Sequence, residues 1–324
     1  MTEYRRIFPV TDRSPEQEAV LRTLAYFDLF QYPLRLEEIH RFLPVKIPMD
    51  VLAAAVQQLR NEERVFRFGD VYALHANPLL WHRRMAGNER AAAMLRKAFR
   101  IGRLLHRFPF VRSVGISGSL SKDYADADSD IDFFIVTAPG RLWIARTLLH
   151  AWKKLMFLRG RQRDYCMNYF IDSSALALDG RNIYTAVELR TLLPVTGARQ
   201  FNALQEANNW ASVFLPLCAP RYIPEGQERE SALKRCLEFC MRSRLFNWLD
   251  NWCWSVTKKR WAAKMTRTAL NDKGLPMQLE TGKHLVRSDA GDFQATILSR
   301  YAARVNELLQ SLPTISRSII SSGK

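Results

Sequence analysis

Ile116-Ser117-Gly118-Ser119, followed after ten residues by Asp130-Ile131-Asp132 and then Phe133-Phe134-Ile135-Val136, is the stretch on which the fold turns. It reads as a turn able to hold phosphates, a short loop, and a strand that begins with two carboxylates. Side chains two apart in a strand project to the same face. Asp130 and Asp132 therefore project together, and Ile131 and Phe133 project to the other side. Two parallel carboxylates repel unless a cation lies between them. Mg²⁺ suits the pair, because it takes one or two carboxylates together with substrate phosphates. A structural alternative, a strand corner capped by acids, is disfavoured, since an apolar strand start seldom carries two cofacial acids without a partner.

The chain around this stretch has 324 residues, enough for more than one domain. Its 48% hydrophobic and 25% charged content is that of an ordinary globular protein. The opening Met1–Arg6 has no apolar h-region, so no secretory signal is expected. No run approaches a membrane span. Five cysteines in a long chain suggest reduced thiols and a cytoplasmic location rather than a disulfide framework. Cys236 and Cys240 lie one helical turn apart, yet no His pair or second Cys pair accompanies them, so apolar thiols are expected there rather than a metal site.

The net charge is +16. It is spread as +6 over residues 1–110, +2 over 111–220 and +8 over 221–324. Basic ends around a near-neutral middle suit a polyanion: a nucleotide, a nucleic acid or an anionic membrane face.

Before the central stretch, Ser14-Pro15-Glu16-Gln17 is a helix start with a capping box. Val20, Leu21, Leu24 and Phe27 follow at helical spacing. Leu36, Ile39 and Leu43 suggest a second helix. Pro48 opens a third, with Val51, Leu52, Ala55, Val56 and Leu59 on its inner face. Arg64–Leu74 is a hairpin around Gly69-Asp70. Three helices and a hairpin outline a winged helix, with Gln57, Gln58 and Arg60 on the exposed side of the third helix. A packing or partner-binding role is favoured there over DNA reading. Residues 78–107 read as a long basic helix.

After the stretch, a helix is expected over Leu142–Leu158, a third strand over Tyr165–Ile171 and a helix near Tyr184–Leu193. A helix or helix pair covers 200–218, and Ser231 to about Ala269 is one long helical pattern. In that pattern Leu233, Leu237, Cys240, Leu245, Trp248, Leu249, Trp252 and Val256 form one stripe. Trp254, Lys258, Trp261 and Met265 form a second. Such a basic, Trp-rich face suits a membrane surface or nucleic acid. A helix buried against two other elements, with its lysines in water, is the favoured reading. Peripheral membrane contact is the less favoured one. Ala295–Leu312 is a last amphipathic helix, and 313–324 a frayed tail.

The Gly-Ser turn, the ten-residue spacing and the Asp-hydrophobic-Asp pair resemble the signature of the polymerase-beta-type nucleotidyltransferase superfamily. The resemblance covers residues 108–195. The unit before it resembles, more loosely, bacterial proteins in which a winged-helix-like unit precedes such a domain. What this implies is an α+β chain: a small mixed-sheet nucleotidyltransferase core flanked by helices, with an N-terminal winged-helix-like unit and a C-terminal helical region. The corresponding divisions are 1–77, a linking helix 78–107, the core 108–198, and 199–324. Mg²⁺ and a nucleoside triphosphate are implied, with transfer of a nucleoside monophosphate to an acceptor hydroxyl. Gly118 and Ser119 match the phosphate-holding turn, and Asp130 and Asp132 the first two metal ligands. Lys122 is placed to meet phosphate or to pair with Asp123, Asp126 or Asp128, three acids expected to be solvated.

The family usually carries a third carboxylate on a later strand. Here that position matches Asn168, which can ligate but cannot act as a base. Asp172, or Glu188 on the following helix, could serve instead. Asp172 has the right parity but lies about 13 Å further along an extended strand; Asp164 is equally distant on the other side. Two rivals to an enzyme of this kind acting on an unidentified hydroxyl acceptor therefore stand. One is a nucleotide-binding regulator or antitoxin-like DNA-binding protein with little turnover. The other is an RNA-tailing enzyme using the basic flanks.

Overall fold

The computed structural model describes residues 13–160, 162–226, 231–265, 277–290 and 293–310. They divide into two units, one built from 13–82 with 296–310 and the other from 83–295.

In the first unit, Ser14 caps helix α1 (Pro15–Asp28): its hydroxyl accepts from the Gln17 amide, and the Gln17 side chain returns to the Ser14 amide. Both ends of the capping box are thus in place, and Pro15 fills the first turn without losing a needed donor. A two-residue strand β1 (Leu34–Arg35) leads into α2 (Leu36–Arg41), followed by α3 (Met49–Asn61). Strands β2 (Phe66–Phe68) and β3 (Val71–Ala73) form the hairpin, whose turn places Gly69 at φ +59°. β1 joins it, giving the order β1-β3-β2. Leu21, Leu24, Leu34, Ile39, Leu52 and Leu59 make the core. Val51, expected on the inner face of α3, is exposed.

The last helix, α11 (Phe293–Gln310), belongs mostly to this unit. Arg304 donates to Asp28 at 3.2 Å, and Tyr301 packs edge-on against Tyr26. The C-terminal stretch 199–324 is therefore not one region. The reason is local: Ile297, Val305 and Leu309 give the helix an apolar face to bury. The expected tail 313–324 lies outside the described residues.

The second unit opens with α4, Leu79–His106, most of which lies here. Its Ala91, Ala98, Ile101 and Leu105 form the buried stripe. The six-stranded mixed sheet has the order β7-β4-β5-β6-β9-β8. The members are β4 (Val111–Ile116), β5 (Asp132–Thr137), β6 (Cys166–Asp172), β7 (Leu193–Thr196), β8 (Met277–Thr281) and β9 (Leu285–Ala290). β4 runs antiparallel to β5, with Ile116 opposite Phe133, and β5 runs parallel to β6. From Phe133 onward β5 is buried on both faces, which is why its apolar run is continuous rather than alternating. Four strands were not evident in the sequence: β1, β7, β8 and β9. Each is short or of mixed polarity, and all but β9 lie at a sheet edge.

Helix α5 (Leu142–Phe157) is the crossover between the parallel strands, and α6 (Ile183–Thr191) follows β6. Then come α7 (Ala198–Ala207), the short α8 (Ala211–Phe214), α9 (Ala232–Cys240) and α10 (Arg244–Met265). The long pattern from Ser231 is thus two helices broken at 241–243. The chain is a mixed α+β protein, and no helix among the described residues is long and apolar enough to cross a membrane.

Candidate functional site

The site forms where β4 ends and β5 begins. The antiparallel ladder continues one bond past β4, with the Ser117 amide donating to the Asp132 carbonyl at 2.9 Å. The chain then turns at Gly118, φ +68°. L side chains rarely adopt this conformation. Space is also lacking: a Cβ there would lie 2.5 Å from Asp132 Oδ2. Backbone and carboxylate therefore approach as closely as they do only because residue 118 is glycine.

A 3₁₀ turn, Ser119–Lys122, follows and closes on Asp123 in the left-handed region. It is built around one carbonyl. The Gly118 C=O accepts from Ser121 Oγ at 2.8 Å and from Lys122 Nζ at 3.0 Å. With that carbonyl held inward, the Gly118 and Ser119 amides donate to no other group among the described residues. Successive amides left in this way form an anion-binding concavity.

Helix α6 braces the turn. Glu188 Oε1 accepts from Lys122 Nζ at 2.7 Å, and Thr191 Oγ1 lies 3.3 Å from Ser121 Oγ. Glu188 and Thr191 are three apart and share a helix face. Ser121 and Thr191 carried no motif; only that spacing, read against the turn, could have singled them out. Lys122 pairs with Glu188 rather than with the loop acids. Those acids are exposed, and two have partners of their own: Asp126 meets Arg83 and Tyr124, and Asp128 meets Arg163.

Asp132 opens β5, and Asp130 lies two residues before the strand, near enough for its charge to act on Asp132. Burial first, and then the charge of Asp130, push the Asp132 carboxyl up to about 7. Glu188 adds to the rise, while a Cys166 hydrogen bond and the charge of Lys122 oppose it. Asn168, on the neighbouring strand, donates from Nδ2 to Asp132 Oδ1 at 2.8 Å. Its own Oδ1 accepts from Cys166 Sγ at 3.1 Å, and burial pushes that thiol up to about 12, so it remains a neutral donor. The position beside the carboxylate pair is thus filled by a neutral amide bonded on both sides.

Asp172 is not brought to this site. Along the β5–β6 ladder Asp132 faces Cys166 and Thr137 faces Asp172. Five residues of strand separate them, about 16 Å. Asp172 is fully buried and accepts from the Gly140 amide (2.7 Å), the Ser174 amide (2.8 Å) and hydroxyl (2.9 Å), and His284 Nδ1 (3.3 Å). It organises the turns at the far end of the sheet. A catalytic role for Asp172 beside Asp132 is therefore withdrawn: correct strand parity does not shorten the distance along the strand. Asp164 is held by Lys97 and has no part in the site.

Among the described residues no group of three or more His, Cys, Asp or Glu side chains is placed to hold a metal ion. The donor set is the two aspartates. It fits an ion that completes its shell with substrate oxygens rather than one caged by protein. Comparison with family models, with curated proteins and with solved structures finds no match to this chain. The functional reading therefore rests on the geometry.

Proposed function

We propose that the chain is a cytoplasmic, Mg²⁺-dependent nucleotidyltransferase that moves a nucleoside monophosphate from a nucleoside triphosphate to a hydroxyl acceptor. In this reading, β4 to β7 and their helices are the nucleotidyltransferase core. The unit of α1–α3 and its hairpin is winged-helix-like. The observation that carries the proposal is the contact of the Gly118 turn with Asp132. It sets the two amides of the turn next to the Asp132 carboxylate, on which the charge of Asp130 also acts.

The amides of Gly118 and Ser119 bind phosphate oxygens, with the Ser119 hydroxyl in reach as a further donor. Lys122, anchored on Glu188, supplies positive charge beside them. Asp130 and Asp132 hold Mg²⁺, whose chemistry is to neutralise phosphate charge and stabilise the pyrophosphate leaving group in an in-line displacement. Asp132, which holds a proton near neutrality, would give it up on ligating the ion. Asn168 fixes the Asp132 carboxylate through its Oδ1.

Calorimetry with Mg²⁺ and each nucleoside triphosphate tests the reading. Metal-dependent binding is expected, and is expected to vanish in Asp132→Ala. Unchanged binding in that variant overturns the site. Incubation with labelled triphosphates and a cell extract then shows whether label reaches RNA, protein or a small molecule.

A second reading, a nucleotide-binding regulator with little turnover, is favoured by one observation. Asn168 is committed to hydrogen bonds with Asp132 and Cys166 at the position where a general base would activate the acceptor. Metal-dependent binding without release of pyrophosphate supports this second reading over the first.

A further inference from the structure

Helix α9 is turned inside out relative to an ordinary amphipathic helix, and α10 carries apolar side chains both on the core and on its outer side. α9 meets the protein with its charged residues. Lys234, 2% exposed, donates to the His106 and Val111 carbonyls at 3.0 and 2.6 Å, at the end of α4. One turn on, Glu238 accepts from the Phe110 amide at 2.6 Å and from both terminal nitrogens of Arg112. In α10, Asp250 is buried and accepts from the Ile144 amide at 2.9 Å, at the start of α5. These are the only two acids in residues 231–265, and both point inward.

What remains outward is apolar and basic. Leu233, Leu237, Phe239, Leu245, Trp248 and Trp252 are all exposed, the two tryptophans by 60% and 51%. Their indoles stack on each other at 6.5 Å, in solvent. The exposed charges of the pair, at Arg235, Arg242, Arg244, Lys258, Lys259 and Arg260, are all positive. The expectation of a helix buried against two other elements with its lysines in water holds for one side of α10, which packs on α5 and β8 while Lys258 and Lys259 stay exposed; Leu233, Leu237, Leu245, Trp248 and Trp252 of the first stripe are not buried with it. Of that stripe Leu249 reaches the core, together with Trp254 and Trp261 of the second stripe, and the exposed members face away from it.

We propose that this helix pair docks the protein onto an anionic lipid bilayer, lying in its surface. Tryptophan and leucine at the level of the headgroups, ringed by cations without a compensating exposed acid, match the chemistry of that interface. Three of the six exposed apolar residues are leucines, which have no π-face on which a base could stack, so the surface fits lipid better than nucleic acid. Attachment here is independent of the Gly118–Asp132 site.

The test is sedimentation of the full chain with vesicles of phosphatidylcholine alone or mixed with phosphatidylglycerol. Binding is expected only to the anionic vesicles, weakening with added salt, with Trp fluorescence quenched by brominated acyl chains. The triple variant L245S/W248S/W252S is expected to bind at least about tenfold more weakly, because apolar burial in the interface is lost. The variant K258E/K259E isolates the charge contribution and is expected to bind several-fold more weakly while quenching persists in whatever remains bound. All five positions are exposed, so the thermal midpoint is expected to be unchanged; a lowered midpoint in either variant contradicts that outward placement. The proposal is overturned if anionic vesicles do not bind the wild-type chain or bind the triple variant equally well. It is also overturned if the triple substitution instead abolishes RNA retention or converts an oligomer to a monomer with vesicle binding absent.

Discussion

Asp132 and Asp172 occupy opposite ends of one pair of parallel strands, and the protein treats them in opposite ways. Asp172 accepts from two backbone amides, a hydroxyl and a histidine, and nothing of it is exposed. Asp132 accepts from two side chains of the neighbouring strand, Asn168 and Cys166, faces the charge of Asp130, and is pushed up to about 7. One carboxylate is surrounded by donors; the other is buried beside a like charge, which favours its protonated form. Structural acids are surrounded by donors, whereas functional acids are placed where the protein alone does not stabilise their charge.

The largest effects come from exchanging the two treatments. Asp132→Ala should reduce Mg²⁺-dependent nucleotide turnover by about a hundredfold or more, with the thermal midpoint unchanged or raised because a like-charge contact is gone. Asp172→Ala should leave nucleotide affinity intact and destabilise the fold by about 1–2 kcal/mol, since the donors at Gly140 and Ser174 lose their acceptor. Denaturant titration and calorimetry on both variants separate the two. If Asp172→Ala abolishes binding at a temperature where it remains folded, the contrast between the two ends fails.

Next in size is Gly118→Ala. The added methyl group meets both a left-handed backbone and the Asp132 carboxylate 2.5 Å away. A cost of about 2 kcal/mol is expected, together with loss of nucleotide affinity as the turn opens. An equivalent substitution at Gly140, also at positive φ but with nothing near its Cβ, should show the conformational cost alone and leave affinity unchanged.

The pH dependence sharpens the same contrast. Asp132 titrates near 7 in the folded chain against an ordinary 3.8. Between these values the folded state holds more protons than the unfolded state, so stability falls as pH rises through that window and levels off above it. After allowing for partial exposure, roughly 2 kcal/mol is expected across the window. Asp132→Asn should flatten this slope, and Mg²⁺ with nucleotide should raise the melting midpoint most at the alkaline end. A slope identical in wild type and variant assigns the titration to another group.

The central strands and the Gly118-Ser119 turn were legible because they depend on local rules. An apolar run long enough for a buried strand, a glycine before a serine and two acids of equal parity are visible one residue at a time. The place of Asp172 was not legible. Parity admitted Asp172 as well as Asn168, and only the pairing of Asp132 with Cys166 and of Thr137 with Asp172 decides between them. The orientation of α9 was hidden for a related reason. Periodicity marks an apolar stripe but not which side faces the protein, and here Lys234 and Glu238 fix the helix by bonds to residues more than a hundred positions away. The docking of α11 on α1 is likewise a tertiary fact, held by Arg304 on Asp28.

A smaller effect is expected from Asn168→Asp. The new carboxylate would face Asp132 at the distance now spanned by a hydrogen bond of 2.8 Å, so the free protein should lose about 1 kcal/mol at alkaline pH. Mg²⁺ should recover that loss, which thermal melts with and without the ion would show. In a transferase limited by the missing base, turnover should rise; in a nucleotide-binding regulator, metal affinity should rise while pyrophosphate release stays at background. The same variant thus separates the two functional readings.

Glu188→Gln should produce the mildest change and probe a different support. Glu188 holds Lys122, and Lys122 in turn holds the Gly118 carbonyl. A glutamine can keep one hydrogen bond but not the charge. The ammonium should then move more readily between carbonyl and phosphate, and removing a nearby negative charge should also ease the burden on Asp132. Both changes favour an anionic ligand, so nucleotide affinity should hold or improve by up to a few-fold, while Lys122→Met should weaken it. If Glu188→Gln instead costs as much turnover as Asp132→Ala, Glu188 is the third acid of the site, and its ion pair with Lys122 is a resting arrangement that substrate displaces.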